Sequence, residues 1–296
     1  MQKFLDHHNM KKTDNVVRFD WAAKNILRDK ASFVILEGFL TALLNEKVTI
    51  IELLESESNR QRRTAKANRV DIKAENSKGE LFLIEIQQAS ETDYLERIVF
   101  STAKNITEHI DMGIDYTQVK KVYSVNIVYF NLGEGNDYLY HGQSELRGVN
   151  TGDTLRMSGK ASKGLRMVNP KNVFPEYYIL RVKKFDDEHP ATALGEWMRY
   201  FKWGYIDPGT TVPGLREAKE RLNVLNLSEQ DRKRYEYDVY DSIYEEDIVD
   251  TARFEGREEG LAEGLEQGRL LEKKTLAQKM REVGVAPEVI RAVTGL

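Results

Sequence analysis

Along the first 130 residues, segments with apolar residues at helical spacing alternate with segments that have the pattern of β-strands. Residues 19–44 carry apolar side chains at helical spacing, interrupted by the polar Arg28-Asp29-Lys30, which predicts one long helix or two abutting ones. The patterns that follow predict strands over residues 48–54, 69–75, 80–88 and 120–130, and a helix over 92–112 that ends at Gly113. This αβββαβ order predicts an α/β domain with a mixed sheet between helices.

Beyond residue 130 the pattern changes to loops and then to helices. Residues 131–171 are rich in Gly, Asn and Ser and predict loops with one or two short strands. A strand over 177–185, helices over 192–203 and 215–225, and mostly helix from Ser228 onward come next. We therefore expect a domain over residues 14–205, with its core at 14–130, and a helical C-terminal region over 206–296.

The C-terminal region has a glycine at every fourth position, Gly256, Gly260, Gly264 and Gly268. Four such glycines cost a helix about 4 kcal/mol relative to alanine. One interpretation is a pair of helices, within or between subunits, whose backbones approach closely at these positions, and the other is a flexible hinge. After them, the sequence predicts a helix, a stop at Gly284 and a short helix beginning near Pro287.

Composition and charge narrow the class of protein. The 296 residues include no Cys, which excludes disulfides, thiolate zinc sites and a cysteine nucleophile and fits a reducing cytoplasm. The N-terminus has no apolar signal sequence and no segment approaches ~18 consecutive apolar residues, so we expect a cytoplasmic protein. Of the net charge of −4, residues 229–250 carry −6 and residues 251–296 are balanced, which leaves +2 on residues 1–228 and allows an anionic partner there.

A hairpin over residues 69–88 places two acids opposite each other. The loop Ser77-Lys78-Gly79, with its glycine in the left-handed conformation, is a common three-residue connection between strands. Continued along both strands, this register places Asp71 opposite Glu85, and strand alternation puts Gln87 on the same face as Glu85. The neighbouring residues are apolar, so the hairpin predicts two acids within a buried setting.

Facing carboxylates destabilise a sheet unless a cation lies between them. Their oxygen atoms suit Mg²⁺ or Mn²⁺, which bind one or two carboxylates and keep several waters. In the alternative interpretation, Asp71 pairs with Arg69, Lys73 or Arg97, and Glu85 lies on the solvated face of an edge strand.

The hairpin and its αβββαβ context resemble the PD-(D/E)XK nuclease superfamily, whose motif Asp71 and Glu85-Ile86-Gln87 match. More narrowly, the chain is similar to the PD-(D/E)XK family transposases, which include the recombination-promoting nucleases. The resemblance covers most of the chain and is strongest over residues 14–130. It implies a restriction-endonuclease-like core with a mixed central sheet, followed by a mainly helical C-terminal region. The features that narrow it are Phe19-Asp20-Trp21-Ala22-Ala23-Lys24, the IEIQ strand, Arg97 and the tail Thr294-Gly295-Leu296.

The resemblance implies hydrolysis of DNA phosphodiester bonds by an endonuclease, in connection with recombination or mobile elements. Asp71 and Glu85 would hold the Mg²⁺ or Mn²⁺ ion, joined by the carbonyl of Ile86. A metal in this position lowers the pKa of a bound water and stabilises charge on the phosphate. The superfamily often adds an acid from the first helix, and both Asp20 and Glu37 are candidates.

Two residues depart from the superfamily motif. Gln87 stands at the catalytic position that usually holds Lys, and glutamine forms hydrogen bonds but carries no charge and cannot act as a base. Val70 stands where the name-giving proline would be. These departures leave a second function open, a catalytically weak or silent nuclease fold that serves as a DNA-binding or oligomerising module.

Basic residues near the hairpin support DNA as the partner. Each of two acid-free stretches could bind phosphates, a contact that would weaken with salt, although such runs are also common in solvated loops. The basic residues are Arg60, Arg62, Arg63, Lys66 and Arg69 in the first stretch, and Arg156, Lys160, Lys163, Arg166 and Lys171 in the second.

We also expect a homo-oligomer through the C-terminal helices. A third function, a transposase with a three-acid RNase H-like site, would require a different strand order.

Overall fold

The computed structural model describes residues 16–25, 27, 29–54, 71–90, 93–108, 119–161, 164–168, 170–186 and 192–296. These residues fall into two compact units, one within Met1–Ser228 and one over Glu229–Leu296. The first unit contains all the described strands, and the second contains only helices.

The order of elements in the first unit confirms the predicted αβββαβ core. Residues 19–44 form two helices rather than one, because a short 3-10 turn at Lys30–Ser32, capped by the Asp29 side chain, separates them. The helices are α1 (Phe19–Asn25), α2 (Phe33–Leu44), α3 (Tyr94–Glu108), α4 (Ala193–Trp203) and α5 (Leu215–Arg221). The strands are β1 (Ile50–Leu54), β2 (Ile72–Asn76), β3 (Leu81–Gln87), β4 (Val122–Val128), β5 (Leu139–Gly142), β6 (Met157–Ala161), β7 (Gly164–Val168) and β8 (Glu176–Arg181).

Six of the strands form one mixed sheet in the order β1-β2-β3-β4-β8-β5. Strands β3, β4 and β8 run parallel, whereas β1, β2 and β5 pair antiparallel with their neighbours. Strands β6 and β7 form a separate two-stranded sheet. Because β3 lies between β2 and β4, the strand that carries Glu85 is central rather than at an edge.

Helices cover both faces of the sheet. Helix α3 packs on one face, where Ile106 contacts Leu81 and Leu83 of β3. On the other face, Tyr129 donates a hydrogen bond to the Phe201 carbonyl at 3.1 Å and joins the sheet to an aromatic cluster. This cluster holds α1, α2 and α4 together and contains Phe19, Phe39, Trp197, Tyr200 and Phe201.

The first unit extends to Ser228, whereas the sequence pattern placed the boundary after residue 205. Helix α5 packs on α2, and the Val17 amide donates to the Leu222 carbonyl at 2.7 Å. Gly38 of α2 lies so close to this segment that an added Cβ would overlap the backbone of Pro213. Residues 206–228 therefore complete the packing around α2 rather than begin the helical region.

The second unit consists of α6 (Glu229–Glu282) and α7 (Pro287–Thr294). Helix α6 continues through all four spaced glycines, and a Cβ added at any of them would meet nothing within 4 Å. A left-handed Gly284 and Pro287 at the first turn of α7 confirm the predicted stop and restart. Helix α7 packs against the end of α6 and buries Ile290. None of the helices in the described ranges is long and apolar enough to cross a membrane.

Candidate active site

The turn between β2 and β3 is fixed by one side chain. Gly79 is left-handed with φ +76°, as predicted. The Asn76 carboxamide oxygen accepts hydrogen bonds from the Lys78 amide at 3.0 Å and the Glu80 amide at 2.9 Å. This turn sets the length of the connection, and therefore the register of the two strands.

The register of β2 and β3 confirms the predicted pairing of the hairpin, with Ile72 opposite Ile84 as the last pair before the acids. Asp71 lies one residue beyond this pair, and its Oδ2 accepts a hydrogen bond from the Ile86 amide at 2.7 Å. The carboxylate of Asp71 is therefore held against the strand segment that contains Glu85.

Glu85 is buried in the central strand, with only 4% of its side chain exposed. Its Oε2 accepts a hydrogen bond from Nη2 of Arg97 at 3.1 Å. Arg97 comes from α3, lies over the ring of Tyr94 and remains 30% exposed. The guanidinium thus connects a buried carboxylate with solvent.

Burial raises the pKa of Glu85 above its ordinary value of 4.5. The charge and hydrogen bond of Arg97 and the buried hydroxyl of Ser101 act in the opposite direction, whereas the negative charge of Asp71 raises the pKa further. The net effect is upward, so Arg97 does not fully compensate for burial beside a second acid. A carboxyl group in this state favours either a proton or an additional cation.

Gln87 lies near the same guanidinium. Its Oε1 accepts a hydrogen bond from Nη2 of Arg97 at 3.3 Å, and its Nε2 donates to the Ala89 carbonyl at 3.3 Å. The structure therefore brings Glu85, Gln87 and Arg97 together on the face of β3 that α3 covers. The structure thus places a positive charge from the following helix beside Gln87, the position where the superfamily motif usually has Lys.

Sequence reasoning missed one polar residue of this face, Asn126. It lies directly beside Glu85 on β4 and is 1% exposed. Its Nδ2 donates to the Tyr178 carbonyl at 3.2 Å, while its Oδ1 has no hydrogen-bond partner among the residues that the structure describes. The signal in the sequence was an asparagine within the apolar strand SVNIV, because a buried side-chain amide requires hydrogen-bond partners.

The two candidates for a third acid lie in different places. Asp20 forms an ion pair with Arg18 at 2.7 Å, and its charge raises the pKa of the buried Tyr129, which burial raises most. The Oε1 of Glu37 accepts a hydrogen bond from the Ile50 amide at 2.8 Å, so Glu37 fixes the start of β1. Neither of these contacts links Asp20 or Glu37 to the acid pair.

Of the two basic stretches, the first, with Arg60, Arg62, Arg63, Lys66 and Arg69, lies outside the described residues. In the second, residues 157–168 form the β6–β7 hairpin apart from the turn at residues 162 and 163. Lys171, at its end, is exposed. Its carbonyl accepts a hydrogen bond from the buried Lys121, which anchors this end of the stretch.

The interpretation of the acids as surface residues is wrong for Glu85, since β3 is central and Glu85 is buried. Two of the cations proposed to pair with Asp71 have other partners. Lys73 forms an ion pair with Glu108 at 3.3 Å, and Arg97 pairs with Glu85.

The acid pair fits a hard divalent cation. Mg²⁺ takes oxygen ligands, needs only one or two carboxylates and completes its shell with water and phosphate oxygens. Within the described ranges, no three acids or histidines form a group that could hold a metal. Two carboxylates, one of them buried with a raised pKa, match the open type of site.

A family model described as PD-(D/E)XK nuclease family transposase matches residues 17–158. The domain over these residues is therefore similar to that family, and its mixed sheet with flanking helices is consistent with the PD-(D/E)XK α/β fold. This similarity supports a nuclease or transposase type of function. No curated protein and no solved structure matches the chain.

Proposed function

We propose that this protein is a divalent-metal-dependent DNA endonuclease that hydrolyses phosphodiester bonds in the setting of recombination or mobile elements. The observation that carries this proposal is the pair of acids across the hairpin, Asp71 held by the Ile86 amide and Glu85 buried beside Arg97. The family model that matches residues 17–158 supports the nuclease class.

Asp71 and Glu85 would hold Mg²⁺ or Mn²⁺, together with the carbonyl of Ile86. The bound ion supplies a water of lowered pKa and neutralises charge on the scissile phosphate. The hydrogen bond from the Ile86 amide orients Asp71 before any ion arrives. Because burial raises the pKa of Glu85, ion binding would strengthen as the pH rises through that pKa.

Arg97 would supply the positive charge that Gln87 lacks. Its guanidinium already lies 3.1 Å from Glu85 and 3.3 Å from Gln87, and its exposed part can reach a phosphate oxygen. Gln87 would help to hold that guanidinium in place through its carboxamide oxygen. In this arrangement, no side chain of the strand acts as a base, so water activation depends on the ion.

The five basic residues before the hairpin, together with the second basic stretch, would bind the DNA backbone. Such contacts are independent of sequence and weaken with salt. The first stretch comprises Arg60, Arg62, Arg63, Lys66 and Arg69 and directly precedes Asp71 in the chain.

Cleavage of supercoiled plasmid and of a single-stranded oligonucleotide, with Mg²⁺, Mn²⁺ or EDTA, tests this function. We expect metal-dependent cleavage that falls about a thousandfold or more in Asp71→Asn and Glu85→Gln, since the ion contributes several kcal/mol of transition-state stabilisation. Glu75→Gln is the matched control, because Glu75 lies on β2 but pairs with Lys120 at 2.6 Å. Full activity in Glu85→Gln would overturn the assignment.

The second candidate function is a nuclease fold that binds DNA without cutting it. The observation that favours it is the ion pair of Glu85 with Arg97, which places a permanent cation at the carboxylate that a metal would use. DNA binding that is unaffected by EDTA, with no cleavage in any metal, would support this function over the first.

A further inference from the structure

One face of α6 carries exposed residues that are symmetric about Ala262. At 100° of rotation per residue, these residues lie within an arc of about 80°. Ile248 and Leu276 are each 14 residues from Ala262, and Glu255 and Arg269 are each 7 residues from it. We call this set the α6 face; it consists of Tyr244, Ile248, Glu255, Ala262, Arg269 and Leu276, all exposed, and the exposed Glu258 and Glu266 border it on either side.

A second α6 running in the opposite direction, with both helices crossing at Ala262, would match this face to itself. Ile248 of each copy would lie opposite Leu276 of the other, and Glu255 would lie opposite Arg269. Each contact would occur twice, as the two-fold symmetry of a homodimer requires. Ile248 and Leu276 would then cover each other in two pairs, with the two Glu255–Arg269 ion pairs between them.

The distribution of charge along α6 favours the same orientation. Residues 229–250 carry −6, whereas residues 269–281 contain five bases and one acid, a net +4. An antiparallel neighbour places the acidic half of each helix beside the basic half of the other. A parallel neighbour would place like charges together, which is unfavourable.

We propose that α6 pairs antiparallel with α6 of a second copy through the α6 face, centred near Ala262. Helix α7 leaves this face accessible, since Leu276 stays 43% exposed beside the buried Ala277. The four glycines do not line the contact. At 100° per residue they lie on the opposite side of the helix from Ala262, so the pairing does not need the close backbone approach that glycine spacing suggests.

The absence of cysteine from the chain allows a direct test of orientation with single cysteines in the full-length protein. We expect Ala262→Cys to form a disulfide with itself. Ile248→Cys alone should not, because the two copies would be about 42 Å apart at this position. A mixture of Ile248→Cys with Leu276→Cys should cross-link. Self-cross-linking of Ile248→Cys, or a monomer in sedimentation with no cross-link, would overturn the proposal.

Charge reversal tests the contacts themselves, with the dissociation constant measured by sedimentation. Glu255→Arg and Arg269→Glu should each weaken dimerisation about tenfold or more, since the symmetric contact is reversed twice. The double variant E255R/R269E should restore the wild-type value, which a folding defect would not allow. Arg257→Glu is the control, because it makes the same charge change on the opposite side of α6. Equal weakening by Arg257→Glu, or no rescue in the double variant, would contradict the α6 face.

Discussion

Two buried glutamates of the same sheet have opposite pKa shifts, and the difference lies in their donors. At Glu176, on β8, burial raises the pKa, but the hydrogen bonds of Lys121 and His141 and the charge of Lys121 outweigh it, and the pKa is lowered. At Glu85, on β3, burial prevails over a single guanidinium beside another acid. The charge of Glu176 is thus fully compensated by its hydrogen-bond donors, whereas the charge of Glu85 is only partly compensated.

Both carboxylate oxygens of Glu176 accept hydrogen bonds, which explains why its charge is compensated. Oε1 accepts from Nζ of Lys121 at 2.9 Å, and Oε2 accepts from His141 at 3.1 Å and from the Tyr178 hydroxyl at 3.2 Å. Lys121 also donates to the Phe174 carbonyl at 2.6 Å. These groups lie at the amino ends of β4 and β8, whereas Glu85 lies toward the carboxyl end of β3, the end where ligands bind in open α/β sheets.

Removing Lys121, the cation beside Glu176, should have the largest effect on stability. Lys121→Met leaves Glu176 buried without its main partner, and we expect the free energy of unfolding to fall by about 3 kcal/mol at neutral pH. Lys120→Met, which breaks the more exposed pair with Glu75, should cost about 1 kcal/mol or less. Urea unfolding of both variants measures the difference. Equal losses would show that Glu176 is not the more dependent acid.

Removing Arg97, the cation beside Glu85, should lower the free energy of unfolding by less. Arg97 is partly exposed, so Arg97→Ala should lower the free energy of unfolding by about 2 kcal/mol at neutral pH. The loss should shrink in acid, where Glu85 becomes protonated and no longer needs the guanidinium. Urea titrations at neutral and acidic pH test this, and a loss that is independent of pH would indicate that Arg97 acts through packing alone.

Neutralising Glu85 should stabilise the protein, in contrast to most core substitutions. We expect Glu85→Gln to raise the free energy of unfolding by about 1 kcal/mol at neutral pH in EDTA, since a buried amide costs less than a buried charge. A raised folded pKa gives stability that is present below the ordinary value of 4.5 and is lost as the pH rises through the folded pKa. The advantage of the variant should therefore grow with pH.

Glu176→Gln should show the opposite pH dependence. The lowered pKa of Glu176 gives stability that is present above 4.5 and is lost as the pH falls through the folded pKa. This variant should thus be less stable than the wild type at neutral pH and converge with it in acid. Thermal unfolding of both glutamine variants across pH measures this contrast. The same pH dependence of stability in both variants would show that the two acids do not differ in this way.

The smallest effect is expected in the second unit, where local propensity dominates. Gly264→Ala should stabilise α6 by about 1 kcal/mol or less, because the new methyl group meets no atom and alanine is the better helix former. Amide exchange of α6 measures this gain. Slower exchange would agree with it, and faster exchange would show that a close neighbour occupies the glycine side.

Local patterns predicted the acid hairpin well, because a turn with a left-handed glycine and two alternating strands fix their own register. The predicted register of the two strands follows from that turn alone, and the observed pairing of Ile72 with Ile84 agrees with it. The break between α1 and α2 was also visible in the polar Arg28-Asp29-Lys30. In these regions, the information lies within a few residues of the feature it specifies.

Long-range partners could not be predicted in the same way. The pairing of Arg97 with Glu85 depends on how α3 crosses the sheet. The bond from Ile50 to Glu37 and the position of Asn126 beside Glu85 depend on packing and strand order. The first unit ends at Ser228 rather than near residue 205 for the same reason, since a short helix returns to α2.

The turn at Gly79 also sets how this protein can tolerate changes in length. Asp71 lies five residues from Asn76, which is about 17 Å along a strand. Adding or deleting one residue between Asn76 and Glu80 would shift the pairing by one position and turn one acid toward the opposite face. An insertion in a solvent-exposed loop would therefore separate the two carboxylates while leaving both residues unchanged, so the spacing of this loop is as much a part of the proposed site as the carboxylates themselves.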